Sequence, residues 1–245
     1  MSSSRTLVAS DAHLGAVPPA SRSRFLAFLS AVPELTDDLV LAGDVFDFWF
    51  EYRSVVLREH FEALRRLADA VDAGVRVRWL GGNHDAWAGS FLRDQVGLEL
   101  LDAPLVTRVG GRRTLLAHGD GRAGGARGYR LLKKVVRSRP ARALFRAVHP
   151  DLGVALARRA SRTGEEADAG RSPRKKDRAE ALSAHAAELL RGDPSLDLVV
   201  FGHAHRPELT EVAPGRHYLN PGDWIRSFTY GAVGPGGVEL RSWEG

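Results

Sequence analysis

Residues 199–207 read VVFGHAHRP, and this stretch gives the pattern on which the fold prediction depends. An apolar run ends at Phe201, and two histidines, His203 and His205, follow with one residue between them. In an extended segment residues i and i+2 point the same way, so both imidazoles can reach one site. The stretch therefore predicts a buried strand whose carboxyl end carries functional side chains.

Four other segments end in the same way. We predict strands over residues 6–10, 39–42, 75–80, 114–117 and 196–201, because each is short, rich in Val and Leu, and bounded by polar residues or Gly. The polar residues that follow them, strand by strand, are Asp11 and His13; Asp44 and Asp47; Asn83, His84 and Asp85; His118 and Asp120; His203 and His205. Ligands of an α/β sheet bind beyond the carboxyl ends of its strands, so we expect these side chains to gather in one place.

The segments between the strands predict an α/β fold. Residues 21–32 and 54–74 have helical spacing of apolar residues, and Gly74 is well placed to end the second helix. Beyond residue 206, short strand-like runs alternate with Pro and Gly, as in hairpins without intervening helices. A length of 245 residues, 44% of them hydrophobic, suits one domain covering residues 1–245.

Composition restricts the metal chemistry and the compartment. The chain has no cysteine, so any metal must be held by His, Asp, Glu or Asn, which favours Mn, Fe, Zn or Mg. The first residues lack the apolar stretch of a signal peptide, and no segment approaches the roughly 20 apolar residues of a transmembrane helix. The expected compartment is the cytoplasm, with no transmembrane segment.

The basic charge is concentrated in one insertion. Residues 122–178 contain seventeen of the chain's basic residues and five acidic ones, whereas the whole chain has a net charge of only +5. Apolar residues within it lie at roughly helical spacing, with Pro140 between two predicted helices. Such helices can bind phosphates or lie on an anionic membrane surface. We interpret residues 122–178 as a basic helical insertion.

The ligand-type residues are more numerous than one tetrahedral metal requires. Two metal ions about 3.5–4 Å apart, bridged by a carboxylate and a hydroxide, would use them and would favour phosphoester hydrolysis. The alternative is that single residues of this kind cap helices or close turns. Seven such residues in this order argue against that alternative, although Asp85 and Asp120 suit a turn or supporting role equally well.

The order D-x-H, G-D-x-x-D, G-N-H-D, H-G-D, G-H-x-H, from Asp11 to His205, resembles the calcineurin-like metallophosphoesterases. The resemblance implies a four-layer α-β-β-α sandwich and two divalent metal ions, Mn first among them. Carried over by position, Asp11, His13 and His205 would bind the first ion, Asn83, His118 and His203 the second, and Asp44 both. By the same resemblance, His84 would contact the phosphate and assist the leaving group, and Asp47 would orient His84.

A narrower resemblance is to the UDP-2,3-diacylglucosamine pyrophosphatases of lipid A synthesis. It rests on GDVFDFW, HGD followed by GY, the basic insertion, GHAHRP and NPGDW. It implies that residues 122–178 form a helical cap on the domain and that the enzyme cleaves its substrate to UMP and 2,3-diacylglucosamine 1-phosphate. It also implies substrate contacts from Asn83, His84, Tyr129 and Arg159 and peripheral contact with an anionic membrane. The best-studied of these enzymes have Arg and Glu in place of His84 and Asp47. This chain instead has the general phosphoesterase pair.

Two other functions stay open at this point. A phosphodiesterase or phosphatase for nucleotides or phosphoproteins would share the chemistry, and a non-catalytic metal-binding membrane or protein scaffold would share only the fold. Nucleic acid is a weaker candidate for the basic insertion, because its only aromatic residues are Tyr129 and Phe145. Residues 46–51 read FDFWFE, and Phe46, Phe48 and Phe50 would share one side, either in the core or beneath the cap.

Overall fold

The computed structural model describes residues 5–121, 135, 138–156, 159 and 173–245. Its strands are β1 (Thr6–Ala9), β2 (Asp38–Leu41), β3 (Arg76–Leu80), β4 (Glu99–Leu101), β5 (Leu105–Val109), β6 (Arg112–Ala117), β7 (Leu198–Phe201), β8 (Glu208–Ala213), β9 (Arg216–Asn220), β10 (Thr229–Gly234) and β11 (Gly237–Ser242). Its helices are α1 (Pro19–Leu35), α2 (Phe61–Asp72), α3 (Ser90–Asp94), α4 (Arg139–Arg146) and α5 (Pro173–Gly192).

The strands form two sheets. The first has the order β11-β10-β1-β2-β3-β4, and the second has the order β5-β6-β7-β9-β8. Strands β1, β2, β3 and β4 run parallel to one another, as do β6, β7 and β9, whereas β10 pairs antiparallel with β1 and β5 pairs antiparallel with β6. The hairpins β8–β9 and β10–β11 are antiparallel, as predicted, but they join different sheets.

The two sheets and the helices form four layers, and three clusters of buried apolar side chains lie between these layers. Side chains from both sheets, such as Val40 and Val200, pack between them. The other face of the first sheet is covered by α1 and α2, with Phe28 and Leu67 fully buried. The other face of the second sheet is covered by α5, through Leu182 and its neighbours. The predicted α-β-β-α sandwich is thereby confirmed.

The helix boundaries follow from local sequence. Helix α2 ends where Gly74 adopts a positive φ of 93°, as predicted from its position. This helix begins at Phe61 rather than at residue 54, after a short 3-10 turn over Arg58–His60. Helix α5 has Ala179, Leu182, Ala186 and Leu190 buried at helical spacing against the second sheet. The predicted end of the cap at residue 178 therefore falls within α5.

Candidate metal centre

The predicted site residues that the structure describes follow the strand ends of both sheets. Asp11 and His13 follow β1, Asp44 and Asp47 follow β2, Asn83, His84 and Asp85 follow β3, His118 and Asp120 follow β6, and His203 and His205 follow β7. Three groups of candidate ligands result, each with its atoms within 4.8 Å of one another: Asp11, His13 and His205; His13, Asp44 and His84; Asp44, His118 and His203.

The first group brings together residues nearly two hundred positions apart. Nε2 of His13 lies 3.3 Å from Nε2 of His205, and Oδ1 of Asp11 lies 3.4 Å from the same His205 nitrogen. Ligand atoms about 2.0–2.2 Å from a common metal ion are separated by distances of this size. A divalent cation held by these three side chains is therefore compatible with the arrangement.

Asp44 belongs to both remaining groups. Its Oδ2 lies 2.9 Å from Nε2 of His118 and 3.9 Å from Nε2 of His13. The side chains of Asp44, His118 and His13 are at most 4% exposed. One carboxylate thus faces both the His13 side and the His118 side of the site, which is the position that a bridging ligand needs.

The second nitrogen of His118 fixes how its ring is presented. Nδ1 of His118 donates a hydrogen bond of 3.0 Å to the backbone oxygen of Ala42, where β2 ends. This bond selects the ring orientation in which Nε2 points at Asp44, as in histidines that bind metals.

The backbone at the site is strained in a way that is rare elsewhere in the described chain. Asp11, His13, Asp44, His203 and His205 have positive φ angles between 44° and 65°, and Phe228 is the only other non-glycine residue of the described ranges that does. Such conformations cost about 1–3 kcal/mol each and persist where function or packing imposes them.

Two glycines allow the site residues to approach one another. A Cβ atom on Gly202 would lie 2.6 Å from Oδ2 of Asp11, and one on Gly82 would overlap with the carboxylate of Asp44. Only glycine therefore fits at these positions beside the carboxylates.

The electrostatics of the site fit bound cations. Burial, and then the nearby charge of Asp44, raise the pKa of Asp11 to about 6. Burial and the charge of His118 lower the pKa of His203 to about 3, so this imidazole is neutral at pH 7, as a metal ligand must be. Although burial alone would lower it, the charge of Asp44 raises the pKa of His118 to about 10 in the metal-free protein, and a bound cation would replace that proton beside the buried carboxylates.

His84 and Asp47 form a pair at the edge of this site. Nδ1 of His84 lies 2.9 Å from the backbone oxygen of Asp47 and 3.3 Å from its carboxylate. Although burial alone would lower it, the pKa of His84 rises to about 9 because Asp47 accepts a hydrogen bond from the ring and Asp44 adds negative charge. The other ring nitrogen, Nε2 of His84, is therefore the one that can contact a ligand bound in the site.

Two acidic residues beside the site accept backbone hydrogen bonds, and a third adds negative charge. Asp85 is fully buried and accepts hydrogen bonds from the backbone N–H groups of Asp44, Val45 and Gly82. Asp223 accepts three backbone N–H groups of its own turn. Asp120 is buried, and its charge adds to those of Asp44 and Asp11, which together raise the pKa of His118 although burial alone would lower it.

For three residues that were predicted to bind substrate or metal, the contacts given above include none with the candidate ligands. Asn83 is exposed, although the backbone N–H of the adjacent His84 donates to Oδ1 of Asp44. Arg159 is exposed. Tyr129 lies outside the described residues.

An aromatic cluster lies between the strand-end loops and α4. The ring of Phe145, on α4, is centred 4.6 Å from that of Phe50, 5.2 Å from that of Trp87 and 5.8 Å from that of Phe48. Phe46 packs instead on Trp49 in the core, so the three phenylalanines of the FDFWFE run do not share one surface. Phe48 directly follows Asp47, which places this cluster next to the candidate metal centre.

Sequence reasoning missed two supporting residues. Glu51 is buried and accepts hydrogen bonds from the backbone N–H groups of Gly89, Phe91 and Leu92 at the start of α3. Asn220 is buried at the end of β9 and contacts the loop that carries His203. A single Glu or Asn gives no local sequence signal for a supporting role, but the position of Asn220 at a strand end does indicate one.

Among the described residues, no helix is long and apolar enough to cross a lipid bilayer.

Comparison with known proteins gives consistent matches over most of the chain. The family described as Calcineurin-like phosphoesterase matches residues 4–207. UDP-2,3-diacylglucosamine hydrolase of Porphyromonas gingivalis is 31% identical over 257 residues, covering 98% of both chains. The protein of that name from Chromohalobacter salexigens is 29% identical over 225 residues, covering 89% of this chain and 88% of the relative. The solved structure of Yfce, a phosphoesterase from E. coli, is 16% identical and covers 98% of this chain and 93% of that one, with a TM-score of 0.45.

Proposed function

The chain belongs to the calcineurin-like phosphoesterase family, and on that premise we propose that it hydrolyses the pyrophosphate of UDP-2,3-diacylglucosamine to UMP and 2,3-diacylglucosamine 1-phosphate. The observation that supports the reaction class is the convergence of three ligand groups, of which the first two have His13 in common and the last two have Asp44 in common. The names of the relatives, which match over most of their own length, support the substrate.

The proposed metal ligands follow the grouping of the side chains, except for Asn83, which is included on the resemblance to the family alone. Asp11, His13 and His205 would hold one divalent ion, His118, His203 and Asn83 the other, and Asp44 would contact both. We propose Mn²⁺, with Fe, Zn or Mg as alternatives that the same nitrogen and oxygen ligands accept. When bound, the two ions would polarise phosphoryl oxygens and lower the pKa of a water molecule to generate the nucleophile.

His84 is the proposed proton donor. Its pKa of about 9 keeps it protonated at pH 7, with Nδ1 directed at Asp47 and Nε2 free to face the departing oxygen. Where the leaving group is a poor one, the proton would move from Nε2 to it as the phosphorus–oxygen bond breaks. Asp47 would hold the ring in place and stabilise its charged form, as carboxylates do for catalytic imidazoles.

The cap is the proposed site for the lipid part of the substrate. We propose that residues 1–245 form one domain with a cap over about 122–178, whose Tyr129 and Arg159 contact substrate. The cluster of Phe48, Phe50, Trp87 and Phe145 gives an apolar surface beside the proposed metal ions, which supports a place for acyl chains. A nucleotide-linked lipid needs such a surface next to a phosphate site.

Peripheral contact with an anionic membrane on the cytoplasmic side is part of this proposal. Leu144, Leu152 and Leu156 of the cap are between 51% and 74% exposed. These apolar side chains belong to a strongly basic segment, and that combination is typical of surfaces that bind anionic lipids. The proposed location is the cytoplasmic face of the inner membrane.

The pair of His84 and Asp47 favours a second candidate function, hydrolysis of simpler phosphodiesters or phosphomonoesters. A proton donor helps most when the leaving group is poor, and UMP leaving from a pyrophosphate scarcely needs one. The reaction class is the same in both cases.

The test measures UMP release from UDP-2,3-diacylglucosamine in the presence of Mn²⁺, with bis(4-nitrophenyl) phosphate as a second substrate and Asp44→Asn as the inactive control. We expect both substrates to be cleaved, with a much higher kcat/KM for the lipid. Cleavage of the diester without any UMP release would reject the lipid substrate and leave the second candidate. Failure to cleave either substrate by protein that has bound Mn²⁺ would reject hydrolysis itself.

A further inference from the structure

The two histidines His203 and His205 sit on a loop whose backbone is strained. Both have positive φ angles, of 65° and 53°, and neither is a glycine. Backbone of this kind relaxes unless surrounding contacts hold it. The contacts that hold this loop therefore determine whether the two imidazoles face the candidate metal centre.

Asn220 provides one of these contacts from a neighbouring strand. Strands β7 and β9 run parallel, with Val200 opposite Leu219, so their carboxyl ends lie side by side. From the end of β9, Nδ2 of Asn220 donates a hydrogen bond of 3.0 Å to the backbone oxygen of Gly202. Gly202 directly precedes His203 and also accepts from the N–H of Ala204, at 2.7 Å.

The amide oxygen of Asn220 also forms a hydrogen bond. Its Oδ1 accepts a hydrogen bond of 2.9 Å from the N–H of Gly222. The carbonyl of Gly222 accepts from the hydroxyl of Ser10, and the N–H of Trp224 in the same loop donates to the backbone oxygen of Asp11. Asn220 therefore joins the loop of His203 and His205 to the segment that carries Asp11.

Asp11 also contacts the loop of His203 and His205 directly, through its carboxylate. Its carboxylate accepts the backbone N–H of His203, at 3.0 Å from Oδ2 and 3.2 Å from Oδ1. The residues Asp11, His203 and His205 thus depend on one hydrogen-bonded unit, in which Asn220 is 1% exposed and both its amide nitrogen and its amide oxygen bond to backbone groups.

We propose that Asn220 is a positioning residue that sets the metal affinity of the site by holding the Gly202 carbonyl, and with it His203 and His205. The proposal rests on the proposed function, because it presumes that these histidines bind metal. Supporting residues that orient metal ligands typically change metal affinity about 10- to 100-fold when they are lost.

The decisive variant is Asn220→Asp. It preserves the shape of the side chain and the acceptor for Gly222, but it replaces the donor to Gly202 with an oxygen. The matched control is Thr229→Val, since the Thr229 hydroxyl donates at 2.7 Å to the backbone oxygen of Pro221 in the same loop without touching Gly202. Binding of Mn²⁺ to metal-free protein is measured by calorimetry, together with the midpoint of thermal unfolding.

We expect Asn220→Asp to weaken Mn²⁺ binding about 10- to 100-fold, and Thr229→Val to lower the unfolding temperature while changing the Mn²⁺ affinity less than twofold. Wild-type affinity in folded Asn220→Asp, or equal weakening in both variants, would overturn the proposal. If Asn220→Asp does not fold, Asn220→Ser is measured instead and the same outcomes apply. Absence of Mn²⁺ binding in the wild type would reject the proposed metal centre, which distinguishes that failure from failure of the role of Asn220.

Discussion

The Nδ1 atom of His84 lies 2.9 Å from the backbone oxygen of Asp47 and 3.3 Å from the carboxylate of the same residue. This contact leaves Nε2 as the ring atom that can reach a substrate. It also favours the charged imidazole, because the partner is a carboxylate in a site from which water is largely excluded.

Loss of the imidazole should depend on the leaving group. We expect His84→Gln to lower kcat about 10²- to 10⁴-fold for a phenyl phosphodiester, whose leaving phenol has a pKa of about 10. The loss should be much smaller for the 4-nitrophenyl analogue and for UDP-2,3-diacylglucosamine, since those leaving groups depart without a proton. Equal losses on all three substrates would argue against proton donation by His84.

The charge of Asp47 should control the titration of His84 in the metal-free protein. With its pKa raised to about 9, His84 stabilises the fold fully below the unfolded pKa near 6.5, and this contribution is lost as pH rises through about 9. We expect Asp47→Asn to move the pKa back toward 6.5, as followed by NMR of the His84 ring. An unchanged titration would show that Asp47 is not the cause.

Replacement of Asp44 should remove both metal binding and activity. Asp44 contributes to two of the three ligand groups, so Asp44→Asn would remove a negative charge from each. Metal ions contribute several kcal/mol of transition-state stabilisation, which corresponds to at least about a hundredfold in rate. Asp94→Asn is the control, because Asp94 is exposed and pairs only with Arg93 among its described ion pairs. Calorimetry and initial rates provide the two measurements.

Metal should stabilise the folded protein. At a free concentration a hundred times its Kd, a bound ion adds about 2.7 kcal/mol to the free energy of unfolding. For a chain of this size, that corresponds to a rise of roughly 5–11 °C in Tm. We expect this rise when Mn²⁺ is added to chelator-treated protein and its absence in Asp44→Asn. A similar rise in that variant would place the bound ion elsewhere.

The aromatic cluster beneath α4 should affect lipid and simple substrates differently. Phe145→Ala removes contacts with Phe50 and Trp87, and apolar burial of a phenylalanine contributes about 1.5–3 kcal/mol. We expect KM for UDP-2,3-diacylglucosamine to rise at least about tenfold, while kcat/KM for bis(4-nitrophenyl) phosphate stays within twofold. Phe61→Ala, at a residue 60% exposed on α2, is the control. Parallel losses on both substrates would indicate that Phe145 supports the catalytic loops rather than the lipid.

Local patterns were sufficient for most of the fold. Strands β1, β2, β3, β6 and β7 were predicted within about two residues of their ends, because most residues of a strand buried on both faces are apolar. Arg78 in β3 is an exception, since it is 1% exposed and pairs with Asp38. Strands β4 and β5 were missed, because they are short and carry exposed residues such as Glu99 and Arg108. Within such strands, the order of apolar and polar residues does not differ from the order found in a loop.

The sequence by itself determined the α/β class, the strand ends and the identity of the polar residues beyond them, because these depend on residue type and short spacing. Only the tertiary structure decided that Asp44 faces both His13 and His118, and that Asn220 supports His203. Those relationships depend on how two sheets stack and on which strands become neighbours, and both are set by packing between residues far apart in the chain.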